Sequence, residues 1–214
     1  KVMVTGATGY LGTVLVPMLA QEQHTVIGLD NMLFSDFTVG TIGPVADVRV
    51  RDIRDIGVHE FYGLDAVVHL AGLSNDPLSD LNPELTKEIN HHAAVRVAQL
   101  AKQAGVRHFV FSSTCSVYGC QGDTFITETS PTSPLTVYAQ PKREAEAQIS
   151  ALADASFLVT HLRHGTAYGT SPMTRFDLVI NNLVAWAKAT NHVHLKSDGN
   201  AWRPLVHVDD IAAS

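Results

Sequence analysis

At 214 residues, with 15 Lys and Arg, 21 Asp and Glu and a formal net charge of −6, the chain has the size of one large domain, or of one domain and part of another. That acidic balance, with no basic run, excludes the nucleic-acid backbone as an expected partner, and no apolar run is long enough to give it a membrane one. A content of 45% apolar and 17% charged residues is that of a globular protein with a sizeable core. The two cysteines, Cys115 and Cys120, share one segment, so a disulfide framework is not expected and the cytoplasm is the expected compartment. Eleven histidines are many, but the pairs His91–His92 and His192–His194 lack the Cys, Asp or Glu spacing of a metal site, and no metal is expected.

Taken in chain order, the opening "KVMVT" (1–5) predicts a strand, with no signal peptide expected before it. A helix follows over 10–21, then strands at 25–29, 47–50 and 65–70, a helix over 83–104, a strand at 108–112, a helix over 138–153 and a strand at 157–162. Strands of nearly continuous apolar character imply burial on both faces, and helical crossovers imply parallel pairing. The fold class is therefore α/β, a doubly wound parallel sheet of Rossmann type over residues 1–165. After residue 165 the rhythm changes. "SPMTRFDLVINNLVAWAKAT" reads as a loop and helix, "HVHLKS" and "WRPLVHV" as short strands, and residues 166–214 as the start of a smaller lobe laid over the sheet. A helix begins at "DDIAAS" as the chain stops, so the expectation is that a C-terminal remainder of this lobe is missing.

"VTGATGYLG" sets Gly6, Gly9 and Gly12 between the first strand and the first helix. Glycines there let a pyrophosphate approach the backbone and the helix N-terminus. Asp30, at the end of the second strand, has a carboxylate that can accept from a ribose hydroxyl and repel a 2′-phosphate, which favours NAD over NADP. In "LTVYAQPKREAE", Tyr138 and Lys142 are four apart and would share one helix face, with Pro141 tolerated in the first turn. A free phenol titrates near pH 10, and a nearby ammonium is expected to lower that value and make Tyr138 a base.

The "TGxxGxxG" spacing and "LDN" resemble the extended short-chain dehydrogenase/reductase superfamily, in its branch of NAD-dependent nucleotide-sugar epimerases and dehydratases. The resemblance runs through nearly the whole chain. It implies NAD contacts from Tyr10 and Leu11 in the glycine turn, Asn31, Asp52 and Ile53 in "RDIRD", and Leu70, Ala71, Gly72 and Ser74 in "HLAGLS". Asn90 in "KEIN" and Ser112 at the fifth strand's end complete that set, and Tyr138 and Lys142 are shared with catalysis. "FSSTCSVYG" is similar to the segment that carries the family's catalytic hydroxyl, which falls on Thr114. For the substrate, the resemblance implies Thr114, Ser116, Thr166, Arg175, Asn181 and, at the diphosphate, Arg203.

The implied activity is epimerisation of a nucleotide-diphosphate sugar through transient hydride transfer to a tightly held NAD, at C4 in the first place. A keto-sugar reductase, a 3,5-epimerase and a non-catalytic NAD-binding regulator are the alternatives. Family dehydratases place an acidic pair after the threonine, where this chain has Cys115 and Ser116. Thr166, Thr170 and Ser74 depart from residues common in relatives and leave the particular sugar open. A homodimer through helices 83–104 and 138–153 is the expected assembly.

Overall fold

A computed structural model describes residues 1–40, 47–74, 76–120, 122, 124–195, 197–200 and 202–214. At its centre lie β1 (Val2–Thr5), β2 (Val26–Asp30), β3 (Val48–Val50), β4 (Ala66–His69), β5 (His108–Ser112) and β6 (Leu158–Leu162), in the order β3-β2-β1-β4-β5-β6. All pairings are parallel, with Val2 beside Val26 on one flank and Ala66 on the other. Parallel neighbours cannot be joined by a tight hairpin, so the chain crosses over between them. Helix α1 (Gly12–Gln21) lies between β1 and β2; α2 (Asp76–Leu81), α3 (Pro83–Lys87) and α4 (Ala94–Gln103) lie between β4 and β5; α5 (Ala139–Ser150) lies between β5 and β6. The strand order reverses at β1 and β4, and a crevice opens beyond their carboxyl ends.

Alternation along the strands builds two cores. Met3, Ile27, Leu29, Val67, Phe109 and Phe111 pack with α4 and α5, whereas Val2, Val4 and Val26 pack with Val16 of α1. Helix α4 meets the phenylalanines with small residues, Ala94, Ala98 and Ala101, all buried, which lets its backbone come close to large rings. Truncating either fully buried phenylalanine would cost about 3–5 kcal/mol.

Each of the six predicted strands lies within one residue of its observed bounds. The predicted helix 83–104 is instead three pieces, α3, a π-helical turn at Glu88–Ala93, and α4. Asn82 caps α3, its Oδ1 accepting from the Leu85 amide at 3.0 Å, and Pro83 occupies the first turn, where a missing N–H is harmless. Beyond residue 165, β7 (Thr166–Tyr168) and α6 (Val179–Thr190) lead to β8 (Leu205–His207) and α7 (Val208–Ala213). Strands β7 and β8 pair in parallel as a separate two-stranded sheet.

Two predictions are corrected here. "HVHLKS" is not a strand: Asn191 ends α6 in the left-handed conformation (φ 59), Val193 and Leu195 are exposed, and Lys196 lies outside the described residues. "WRPLVHV" is extended only over Leu205–His207. Pro204 has no N–H to give, and the His207 ring starts α7 by accepting from the Asp209 amide at 3.2 Å.

Candidate active site

The chain leaves β1 through Gly6, whose φ of 72° suits glycine. A Cβ there would stand 2.8 Å from the Ala71 amide nitrogen, so the turns after β1 and β4 touch at this point. A Cβ on Gly12 would lie 2.2 Å from the Gly6 carbonyl oxygen, which fixes the start of α1 against the turn. Asp30 reaches into the same turn. Its Oδ2 accepts from the Thr8 amide at 3.1 Å and its Oδ1 from the Met32 amide at 2.9 Å, and each oxygen keeps a lone pair for another donor. A close-packed glycine cradle at a helix start, with a carboxylate beside it, fits the pyrophosphate and ribose of a dinucleotide.

From this turn a cleft of about 1230 Å³ runs across the carboxyl edge of the sheet to β7, larger than a typical pocket for one small molecule. All the site residues expected from the sequence line it except Asn90 and Asn181. Asn90 is fully buried, with its Oδ1 accepting from the Leu73 amide at 2.8 Å and its Nδ2 donating to the Leu73 carbonyl at 2.7 Å. These two bonds clasp the turn after β4, so Asn90 shapes the cleft through that turn. Asn181 is engaged in a similar way, accepting from the Gly169 amide at 2.9 Å and donating to the Arg175 carbonyl at 3.0 Å, and it orders the lobe's backbone.

Arg175 does line the cleft, and it bridges it. Nε and Nη2 grip the Asp177 carboxylate at 3.1 and 2.6 Å, while Nη1 donates to Ser74 Oγ at 2.8 Å, tying the lobe to the turn after β4. Tyr10 makes a second tie, its hydroxyl donating to the Gly169 carbonyl at 2.8 Å. Asp52 is held down to about 2 by hydrogen bonds from Arg54, against the effect of burial. Arg203 is exposed at the far end, close enough to Cys115 for its charge to act on that thiol. Burial pushes the Cys115 thiol up, and both cysteines are free.

Helix α5 brings Tyr138, at its N-cap, and Lys142 to the floor of the cleft, with Pro141 in the first turn. The expected lowering of the phenol is corrected here. Burial pushes Tyr138 up to about 12; the Arg175 charge and a hydrogen bond with Thr114 oppose that rise, and Asp76 adds to it. Lys142 is turned elsewhere: its Nζ donates to the Ser112 carbonyl at 2.9 Å and sits 4.7 Å from the Phe111 ring centre. Burial brings the lysine itself down to about 8. Thr114 caps a short 3-10 turn, Cys115–Tyr118, by accepting from the Ser116 amide at 3.2 Å, which keeps its hydroxyl at the end of β5.

Sequence reasoning did not single out His164, which follows β6 and lines the cleft. Burial, and then the Lys142 charge, hold its imidazole below the ordinary histidine range. Its only local signal was its place two residues before Thr166. Among the described residues, no three His, Cys, Asp or Glu side chains group as metal ligands.

The family model described as the NAD dependent epimerase/dehydratase family matches residues 2–214. UDP-glucose 4-epimerase of Corynebacterium glutamicum is 32% identical over 99% of this chain and 68% of its own length. Among solved structures, the NAD-dependent NDP-hexosamine 5,6-dehydratase TunA superimposes with a TM-score of 0.90 at 25% identity, covering 99% of this chain and 69% of that one. MoeE5 in complex with UDP-glucose and NAD superimposes with a TM-score of 0.83 at 29% identity, with the same two shares covered.

Proposed function

The chain belongs to the NAD dependent epimerase/dehydratase family, and from that premise we propose that it is an NAD-dependent epimerase of nucleotide-diphosphate sugars, acting at C4. The observation that carries this reading is the convergence of Tyr138, Thr114 and Lys142 on one cleft with the glycine cradle and Asp30. When bound, NAD would supply a reversible hydride acceptor. Gly6, Gly9 and Gly12 would receive its pyrophosphate at the start of α1, with Tyr10 and Leu11 in the turn. Asp30 and Asn31 would take the ribose, and Asp52 and Ile53 would border the base. Leu70 to Ser74 and Ser112 would border the other half.

Tyr138 takes the proton from the reacting sugar hydroxyl and later returns it, with Thr114 hydrogen-bonded to the same oxygen. Burial keeps the phenol protonated at rest, so it must first lose its own proton to solvent before it can take the sugar's, and Lys142, charged below about pH 8, favours the phenolate so formed. Ser116, Thr166 and Arg175 contact the sugar, and Arg203 the diphosphate through its planar fork. Elimination of water is the competing chemistry of the family. Cys115 and Ser116, the positions where dehydratases carry their acidic pair, offer no carboxylic acid here, and the Cys115 thiol is pushed up by burial.

In this reading residues 1–165 are the NAD-binding domain and 166–214 belong to the substrate-binding lobe, in a cytoplasmic homodimer joined through the helical stretches 83–104 and 138–153. Among the described residues no helix is long and apolar enough to cross a membrane. The test is conversion of UDP-, GDP-, CDP- and dTDP-hexoses followed by NMR, with Tyr138→Phe as control. Turnover is expected to fall roughly 10²–10⁴-fold in that variant while NAD binding is retained. Undiminished turnover would remove Tyr138 from the chemistry.

A further inference from the structure

Two successive residues at the end of β5 are held by successive turns of α5. The Ser112 carbonyl accepts from Lys142 Nζ at 2.9 Å, and Ser113 Oγ donates to Glu146 Oε1 at 2.5 Å. Thr114 is the next residue. Tyr138, Lys142 and Glu146 follow at intervals of four, so they lie along one face of α5 opposite that strand end. Glu146 is only 2% exposed.

Its other side meets Arg163, the residue that follows β6. Arg163 donates from Nε to Oε1 at 2.9 Å and from Nη2 to Oε2 at 2.7 Å, while its Nη1 reaches the Tyr118 hydroxyl at 2.9 Å. Burial pushes the Glu146 carboxyl up, but the hydrogen bonds from Arg163 and Ser113 outweigh this and hold it below the ordinary glutamate range. A fixed negative charge therefore stands one helical turn from Lys142, and the proposed chemistry gives it no part.

We propose that Glu146 is a positioning residue of this site, lacing the Thr114 end of β5 to α5 and supplying the anion that faces the Lys142 ammonium. The inference rests on the reading of Tyr138 and Lys142 as the proton-handling pair. Around Lys142 the other titratable groups are Tyr138 at the head of α5, His69 on β4 and His164 after β6. Both histidines are held neutral by burial. Burial draws Lys142 down, and Glu146 is the charge that opposes the fall. Without it the lysine would lose its proton nearer neutral pH and would no longer support a phenolate.

The test is a proton titration of Lys142 in the full chain, by NMR of ε-13C-labelled lysine assigned with Lys142→Arg. In the natural sequence the midpoint is expected near 8. Glu146→Gln can still accept from Ser113 but lacks the charge, and its Lys142 midpoint is expected to fall by about one unit. Should that variant not fold, because the Arg163 guanidinium has lost its carboxylate, Glu146→Gln/Arg163→Met removes both charges and is expected to show a smaller fall, since a cation leaves with the anion. An unchanged midpoint in a cooperatively melting variant overturns the proposal. No substrate is needed for this readout, so a shifted lysine in a chain that converts no sugar would sink the proposed function and leave Glu146 in its role. An unshifted lysine in an active epimerase would do the reverse.

Discussion

Asp30 binds the glycine turn through one carboxylate oxygen and the start of the following loop through the other. Its removal loosens structure as well as recognition, and one affinity would not separate the two. A difference does, because loosening weakens NAD and NADP alike, whereas loss of the carboxylate also relieves repulsion of a 2′-phosphate. Asp30→Ala is expected to weaken NAD roughly tenfold more than NADP, about 1.4 kcal/mol, as measured by titration calorimetry. Parallel losses would place the ribose elsewhere. At this scale the sequence showed which residues share the cleft, since the helical repeat alone puts Tyr138 and Lys142 on one face of α5. It did not show the direction in which the phenol moves. That depends on desolvation by distant parts of the chain, and on a lysine that turns to Ser112.

An element that shapes the cleft from behind the turn after β4 is the π-helical turn at Glu88–Ala93, of which Ile89 lines the cleft. An i→i+5 turn breaks the 3.6-residue register, and here it buries Asn90 together with His91 and Ala93. Asn90→Ala would strand the amide and carbonyl of Leu73, at about 1–3 kcal/mol for each buried group left unpaired. The expected loss is about 3 kcal/mol in denaturant unfolding, with faster hydrogen exchange at Leu73 and weaker dinucleotide binding. A loss below about 1 kcal/mol would show that the turn holds itself. Apolar positions continue on either side of the π-turn, so periodicity read 83–104 as one helix. Helix α2 was missed because its six residues bury Ser79 and present no apolar stripe. Strand β7, three residues long, leaves no alternation to detect, while the alternating "HVHL" has no partner strand among the described residues.

For the whole molecule, central strands apolar on both faces, with helices crossing between β1 and β2, β4 and β5, and β5 and β6, had one economical arrangement, and the parallel sheet follows from it. Its tight packing also buries histidines, and this gives the protein an acid sensitivity distinct from that of its carboxylates. His69 on β4 is fully buried between Phe109 and Phe111, with Nδ1 2.9 Å from Thr5 Oγ1 and no hydrogen-bond partner for Nε2 among the described residues. Burial, with a smaller push from Lys142, brings it down to about 3, and burial also lowers His91, His161 and His164. A histidine lowered in the folded state binds its proton first in the unfolded one. Stability must therefore fall as pH drops below about 6.5, by up to about 1.4 kcal/mol per pH unit for each such group. Lowered carboxylates such as Asp52 and Glu146 act only below their own unfolded range near pH 4, so the interval from about 6.5 to 5 belongs to the histidines. Urea unfolding across that interval is expected to show the decline, and His69→Phe, which keeps the ring stack, is expected to reduce its slope by about one proton. An equal slope in a well-folded His69→Phe would mean that His69 is protonated in the native core.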